Sequence, residues 1–297
     1  MKFKEYGSYA PEALENLEEV QPLEIAQKSS LNRLNYLVGF FKEQRPKEYD
    51  KYLKNLQKKL SDLVKKDFTK QSKLDLAKSL KELPNLQDKE QLAINSVNYV
   101  LQLLEIPDDV DWVNNKIKVP QGNYFRSFLI PRYQNAVVFS ETLGREEGIK
   151  LYKVYKTEYV NFSIPESKNQ YSNLDDKHKD NVKDFESNGN PGWVRIEGSV
   201  ENGKLVYRRD TCLWAEAMKG YPDDEFKYLA TCYEDFQGIK KTWNENFVLT
   251  MDHTLAKGDL YCSCVIHDTR IDWDLTHPSE EFWESIWPLQ KWQKKNE

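Results

Sequence analysis

The sequence predicts an α+β fold, an antiparallel sheet of two hairpins packed by helices with a helical extension ahead of it. Three observations predict it. The first hundred or so residues carry apolar side chains at helical spacing on a background of Lys, Glu, Leu and Asn. Asn202-Gly203, a strong hairpin signal, stands between the runs WVRIEGSV and KLVYRRD. A second pair of runs, NFVLTMDHTLA and LYCSCVIHD, is parted by a turn at Lys257-Gly258-Asp259. Hairpin, helices and hairpin in that order give an antiparallel sheet covered by helices. A chain of 297 residues holds one large domain or two smaller ones. The division predicted is 1–115 for the helical extension or cap and 116–297 for an α+β ligand-binding or catalytic domain.

Each element has a local reason. Leu31, Leu34, Val38 and Phe41 mark a first helix that Arg45-Pro46 ends. Leu53, Leu56, Leu60 and Leu63 repeat the rhythm on a charged helix, and Leu92, Ile94, Val97, Leu101 and Leu104 give another before Pro107. These helices form an antiparallel bundle, either a lid or homo-oligomer surface or a plain extension. Residues 107–123 read as irregular; Asp108, Asp109 and Asp111 lack the glycine and ligand spacing of a calcium loop. The segment SETLGREEGIKLYKVYKTEYVNF reads as one helix with Ile149, Tyr152, Tyr155 and Tyr159 on its core face. Residues 163–190 are polar, with His178 read as solvated on a loop or short helix. Between the hairpins, helices are predicted over Thr211–Lys219, ended by Gly220, and over about 223–236. The aromatic tail with Phe282, Trp283, Ile286, Trp287 and Trp292 is expected to seal the domain.

Composition narrows the class. Hydrophobic residues make up 39% and charged residues 31%, enough for a real core. A net charge of -5 lacks the basic footprint of general nucleic-acid binding. No run approaches the roughly 18 apolar residues of a membrane helix. The N-terminal MKFKEYGSYAPEALENLEEV has no apolar stretch behind its lysines, so a signal peptide is not expected. Four cysteines without an export signal point to a reducing cytoplasm.

Chemistry concentrates between Arg209 and Asp268, which hold Cys212, Cys232, Cys262, Cys264, His253 and His267. Asp210 or Thr211 is a good N-cap, which puts Cys212 in a first helical turn beside Arg208 and Arg209, where a thiolate is favoured. A small buried residue is the equal alternative. Asp235 follows Cys232 by three residues and shares its helical face. Strand alternation puts Phe247, Leu249, Met251 and His253 on one face, and Leu260, Cys262, Cys264 and Ile266 on one face of the returning strand. If the apolar faces coincide, His253 joins both cysteines, while His267 points away with Tyr261, Ser263 and Val265. Zinc held by Cys212, Cys232, Cys262 and His253 is geometrically conceivable, yet the spacing matches no standard zinc pattern. Neither a glycine-rich phosphate loop nor a G-x-S-x-G elbow is present.

The runs TCLWAEAMKG, YLATCYEDF and LTMDHTLAKGDLYC together resemble the L-2-amino-thiazoline-4-carboxylic acid hydrolase family. The residues that carry the resemblance are Cys212 and Glu216, Cys232 and Asp235, then Thr254, Leu255, Gly258, Asp259 and Cys262. The upstream ETLGREEGIKLYKVY adds a less specific likeness, so the match covers about 140–268 with a gap in the polar loop. The Gly-Asp-x-x-Cys ending is also similar to small-ligand-binding domains of the vinyl-reductase type. The family's Cys-Asp-Phe-Arg is here Cys262-Ser263-Cys264-Val265, and Asp252 and His253 replace the usual basic residue before Thr254. Those departures imply a different ligand.

The resemblance implies a hydrolase-like enzyme acting on a small cyclic, amidine- or sulfur-containing amino-acid derivative, with a place in biosynthesis. Cys212 is the candidate nucleophile or ligand beside Cys232. Asp235 and His253 are the acid–base candidates, and Cys262 is a ligand or wall. Arg209, with Glu216 and Thr254, is expected to bind substrate, the guanidinium taking a carboxylate. Two alternatives stand beside it: a non-enzymatic small-ligand or metal-binding module, and a divergent enzyme of ring formation or rearrangement.

Overall fold

The computed structural model describes residues 1–8, 10–70, 76–188 and 192–286. The chain forms two compact units. One, helical, comprises Leu14–Tyr159 with Ala217–Gly220; the other comprises Met1–Ala13, Val160–Glu216 and the chain from Tyr221 on. The class is α+β as predicted. The boundary near residue 115 is not where the units part: the helical unit runs on to Tyr159, and the first thirteen residues belong with the sheet.

In the helical unit, Arg33–Gln44, Tyr49–Leu63 and Glu90–Leu103 fall where the apolar spacing puts them. Phe41 stacks on Tyr52 at 3.9 Å between ring centroids, and the edge of Phe139 meets both. The single helix predicted around residues 140–162 is two, Gln121–Leu143 and Arg145–Ser163, parted by Gly144 at φ +88°. A positive φ at glycine ends the first helix without steric cost. Gln121–Leu143 escapes periodicity because buried side chains occupy all its faces. The strands β2 (Leu17–Val20) and β3 (Ile117–Pro120) pair into a small antiparallel ribbon in this unit, so part of the irregular stretch is strand.

The second unit is built on five antiparallel strands: β1 (Phe3–Tyr6), β4 (Arg195–Gly198), β5 (Lys204–Arg209), β6 (Phe247–Thr250) and β7 (Cys262–Asp268). Their order is β1-β4-β5-β7-β6. Both predicted hairpins are there, joined through β5 and β7, and β1 is an addition assigned by sequence to the helical extension. Alternation sorts the side chains onto two faces. Leu205, Tyr207, Leu249, Cys262, Cys264 and Ile266 pack under the helices, while Val206, Val265, Tyr261 and Trp283 form the core of the other face. From the tail, Phe282, Trp283 and Ile286 pack there; Trp287 and Trp292 lie outside the described residues.

Asn202 (φ +50°) and Gly203 (φ +74°) make the turn of the first hairpin. A Cβ on Gly203 would lie 2.8 Å from Cβ of Ile271, so two penalties, sterics and backbone, act together. Gly203→Ala is expected to lower stability by about 1–2 kcal/mol. A denaturant midpoint equal to that of wild type would contradict it.

Candidate functional site

On the helix-covered face, β4, β5 and β7 present two rows of side chains. Arg195 stands opposite Arg209, which stands opposite Cys262; Glu197 stands opposite Tyr207, which stands opposite Cys264. A cavity of about 480 Å³ opens over these rows. Cys212 and Trp214 enter it at the short helix Leu213–Ala217, Cys232 from the end of Asp224–Thr231, and Asp235 from the first residue of Asp235–Thr242. All four sulfurs therefore meet around one hollow.

Two arginines side by side on neighbouring strands repel each other. Arg195 has an answer in Glu197, an ion pair in which both side chains are buried. Glu197 also takes hydrogen bonds from Asn181 at 3.2 Å and shares one with His178 at 2.6 Å. Burial opposes ionisation of Glu197, but Arg195, His178 and Asn181 together hold its carboxyl below the ordinary value. His178 is thus a partner of a buried carboxylate on the helix Leu174–Asn188, not the solvated residue expected from a polar stretch.

Arg209 has no such answer. Among the described residues it makes no hydrogen bond or ion pair; its guanidinium lies over the Tyr207 ring at 5.4 Å, while Arg195 lies over the same ring at 3.6 Å. Burial works against its charge, yet its proton affinity is raised, because the Tyr207 phenol and the sulfurs of Cys264, Cys212 and Cys262 attract the cation once they ionise; a guanidinium stays charged in any case. A permanent cation facing a largely apolar cavity is a receptor for an anion.

The thiols are held protonated. Burial raises Cys232 to about 12 and Cys264 to about 11, and it pushes Cys262 well above the ordinary thiol range. Burial also raises Cys212, against Arg209 and the backbone N–H groups of Ala215 and Trp214. Those amides make the sulfur itself the cap of the short helix. Thr211 instead donates to the Gly192 carbonyl at 2.9 Å, and Asp210 pairs with Arg208. Arg208 points to the other face, where it donates to the Trp283 carbonyl at 2.8 Å.

Other expected site residues fall elsewhere. Cys232 and Asp235 do not share one helix, because the chain breaks after Thr231 and restarts at Asp235; both nevertheless line the cavity. Thr254 is buried behind the sulfurs. Its hydroxyl shares a hydrogen bond with Cys232 at 3.6 Å and accepts one from Cys262 at 3.7 Å, so it sets thiol orientation, and it is not among the residues that line the cavity. Glu216, on the short helix Leu213–Ala217, is not among the lining residues. His253 is on the wrong face: β6 stops at Thr250, alternation lapses, and the ring packs on Tyr261 at 5.1 Å. Among the described residues no group of three or more His, Cys, Asp or Glu side chains is placed to hold a metal ion, so the zinc set conceived from sequence is not assembled. Sequence reading overlooked Arg195, Trp193, Trp214 and Trp243, which line the cavity.

A second polar assembly occupies the opposite face. Asp272 bonds His267 Nδ1, His267 Nε2 meets Thr250 Oγ1 at 2.8 Å, and Thr250 meets His277 Nδ1 at 2.7 Å. His277 Nε2 then reaches Ser263 Oγ at 3.3 Å, and Ser263 reaches His253 Nδ1 at 3.5 Å. Burial lowers the pKa of His267, against Asp272 and Asp274 and with Lys204; burial also lowers that of His277, against Asp252 and with His267, His253 and Lys204. A depressed imidazole is neutral in the fold, so the unfolded chain binds more protons below about 6.5, its ordinary value. Stability should therefore be full above that pH and fall as pH drops toward the folded values, by at most about 1.4 kcal/mol per pH unit for each imidazole. Thermal melts at pH 7.5 and 5.5 check this; a drop of the same size in His267→Asn and His277→Asn would contradict it.

No helix among the described residues is long and apolar enough to cross a membrane. No family model, no curated protein and no solved structure matches this chain.

Proposed function

We propose that the cavity binds a compact organic carboxylate, a cyclic, sulfur- or amidine-containing amino-acid derivative of the thiazoline carboxylate kind, and that the chain hydrolyses it. The observation that carries this reading is Arg209, a buried-side cation without a carboxylate, set opposite an arginine that has one. A ligand carboxylate supplies the missing charge through the guanidinium fork. The likeness to the amino-thiazoline hydrolase family is part of the same proposal.

The chemistry needs a base and an acid. Asp235 is a carboxylate in the cavity, and burial keeps neighbouring Cys212 and Cys232 as proton-bearing thiols. In this scheme Asp235 takes a proton from water as its oxygen bonds to the ring carbon between nitrogen and sulfur. The electron pair displaced onto the ring nitrogen expels the sulfur as the carbon–sulfur bond breaks; Cys212 protonates that sulfur and recovers its proton from Asp235, and the second water proton passes from the new oxygen to the ring nitrogen. The product is a carbamoyl-cysteine when the ring carries an amino group. The thiols are acids here, which differs from the nucleophile expected at Cys212.

Incubation with 2-amino-thiazoline-4-carboxylate, followed by proton NMR and thiol titration, tests the proposal. One new thiol per ligand consumed is expected, with Asp235→Asn slower by about 10²-fold or more. Binding without turnover would favour the non-enzymatic ligand-binding module, a reading that the protonated thiols also support. Neither binding nor turnover would overturn both.

A further inference from the structure

We propose that the polar chain on the second face is an acid-operated latch, in which protonation of His277 turns the Ser263 hydroxyl around and shifts the turn at residues 252–254. That turn orients two of the cavity sulfurs, and the latch acts whether or not the cavity holds a carboxylate.

One carboxylate sets the direction of every bond in the chain. Asp272 accepts, so His267 carries its hydrogen on Nδ1 and leaves Nε2 bare. Thr250 then donates to His267 Nε2 and accepts from His277 Nδ1. His277 Nε2 is therefore bare in its turn, and Ser263 donates to it. The two lone pairs of Ser263 Oγ are filled by the N–H groups of Asp252 at 3.2 Å and His253 at 3.0 Å. The neutral chain is satisfied from end to end and has no room for another hydrogen.

A proton on His277 Nε2 collides with the serine hydrogen, and two groups are placed to resolve the conflict. His253 Nδ1, 3.5 Å from Ser263 Oγ, takes over the serine hydrogen. The Asp252 carboxylate, 3.8 Å from His277 Nε2 and mostly exposed, closes on the imidazolium and carries the turn with it. His267 has no such escape, because a proton on its Nε2 strands the Thr250 hydrogen between two donors. Facing His277 are Asp252 and His253 on the turn, His267 on β7 and Lys204 on β5, with Trp283 stacked at 5.4 Å. Asp272 and Asp274 face His267. Of the groups around His277, Asp252 is the one that attracts the new charge. The next residue, Thr254, passes the movement on, since its hydroxyl meets Cys232 and Cys262.

Selective ¹⁵N labelling of the four imidazoles in the full chain tests this by NMR. At pH 7.5 both His267 and His277 should carry hydrogen on Nδ1, and an Nε2–H on either ring would overturn the bond order. On acidification His277 should take its proton before His267. The amide signals of Asp252, His253 and Thr254 should move with the His277 midpoint. Titration of His277 with those amides unmoved, or of His267 first, would remove the latch. Asp252→Asn, an exposed change, should lower the proton affinity of His277 by about threefold or more. An unchanged midpoint there would overturn the part given to Asp252.

Discussion

Arg209→Met is expected to weaken carboxylate binding by on the order of a hundredfold while leaving the unliganded protein as stable as wild type, or more so. The two halves have one cause. A buried carboxylate that loses its charged partner gives up about 2–5 kcal/mol. The unliganded protein, in contrast, carries an uncompensated cation opposite Arg195, and an apolar side chain of similar length relieves it. Calorimetry and thermal melting read the two halves separately. Arg209→Lys should fall between, since it keeps the charge and loses the fork. A clear loss of stability with unchanged affinity would make Arg209 a structural residue.

Glu197→Gln is expected to act in the opposite sense, costing about 3–5 kcal/mol of stability because Arg195 is left buried without its anion. Against a total of about 5–15 kcal/mol, that is a large fraction. Chemical denaturation measures it. The neutral amide also loses the charge-assisted bonds from His178 and Asn181. A change below about 1 kcal/mol would mean that solvent already screens the pair, as it does for surface ion pairs.

The two hairpins were legible because Asn202, Gly203 and Gly258 are turn residues whose positive φ the structure uses. The sulfur convergence was legible from alternation on β7 and from short spacings along the chain. The arginine pair was not. Counting outward from the turn, where Glu201 bridges Lys204, puts Arg195 opposite Asp210, an ordinary ion pair. The strands instead pair Glu197 with Tyr207 and Arg195 with Arg209, so one extra residue lies on the first strand between Gly198 and Glu201. A bulge of this kind has no local sequence mark, and it moves a cation from a neutral register to a repulsive one. The lapse of alternation beyond Thr250 misplaced His253 for a similar reason. Asp235 was found for a reason the structure does not keep, since it lines the cavity from its own helix and not from that of Cys232.

The central claim is that Arg209 receives the negative charge of a ligand, and titrating one ring as acid and as carboxamide tests it most directly. Calorimetric titration of 2-amino-thiazoline-4-carboxylate and its carboxamide into the wild-type chain should give an acid that binds at least tenfold tighter, because only the acid offers two charged oxygens to the guanidinium. Equal affinity of the two compounds would contradict the account, for the cavity would then be recognising the ring without regard to charge.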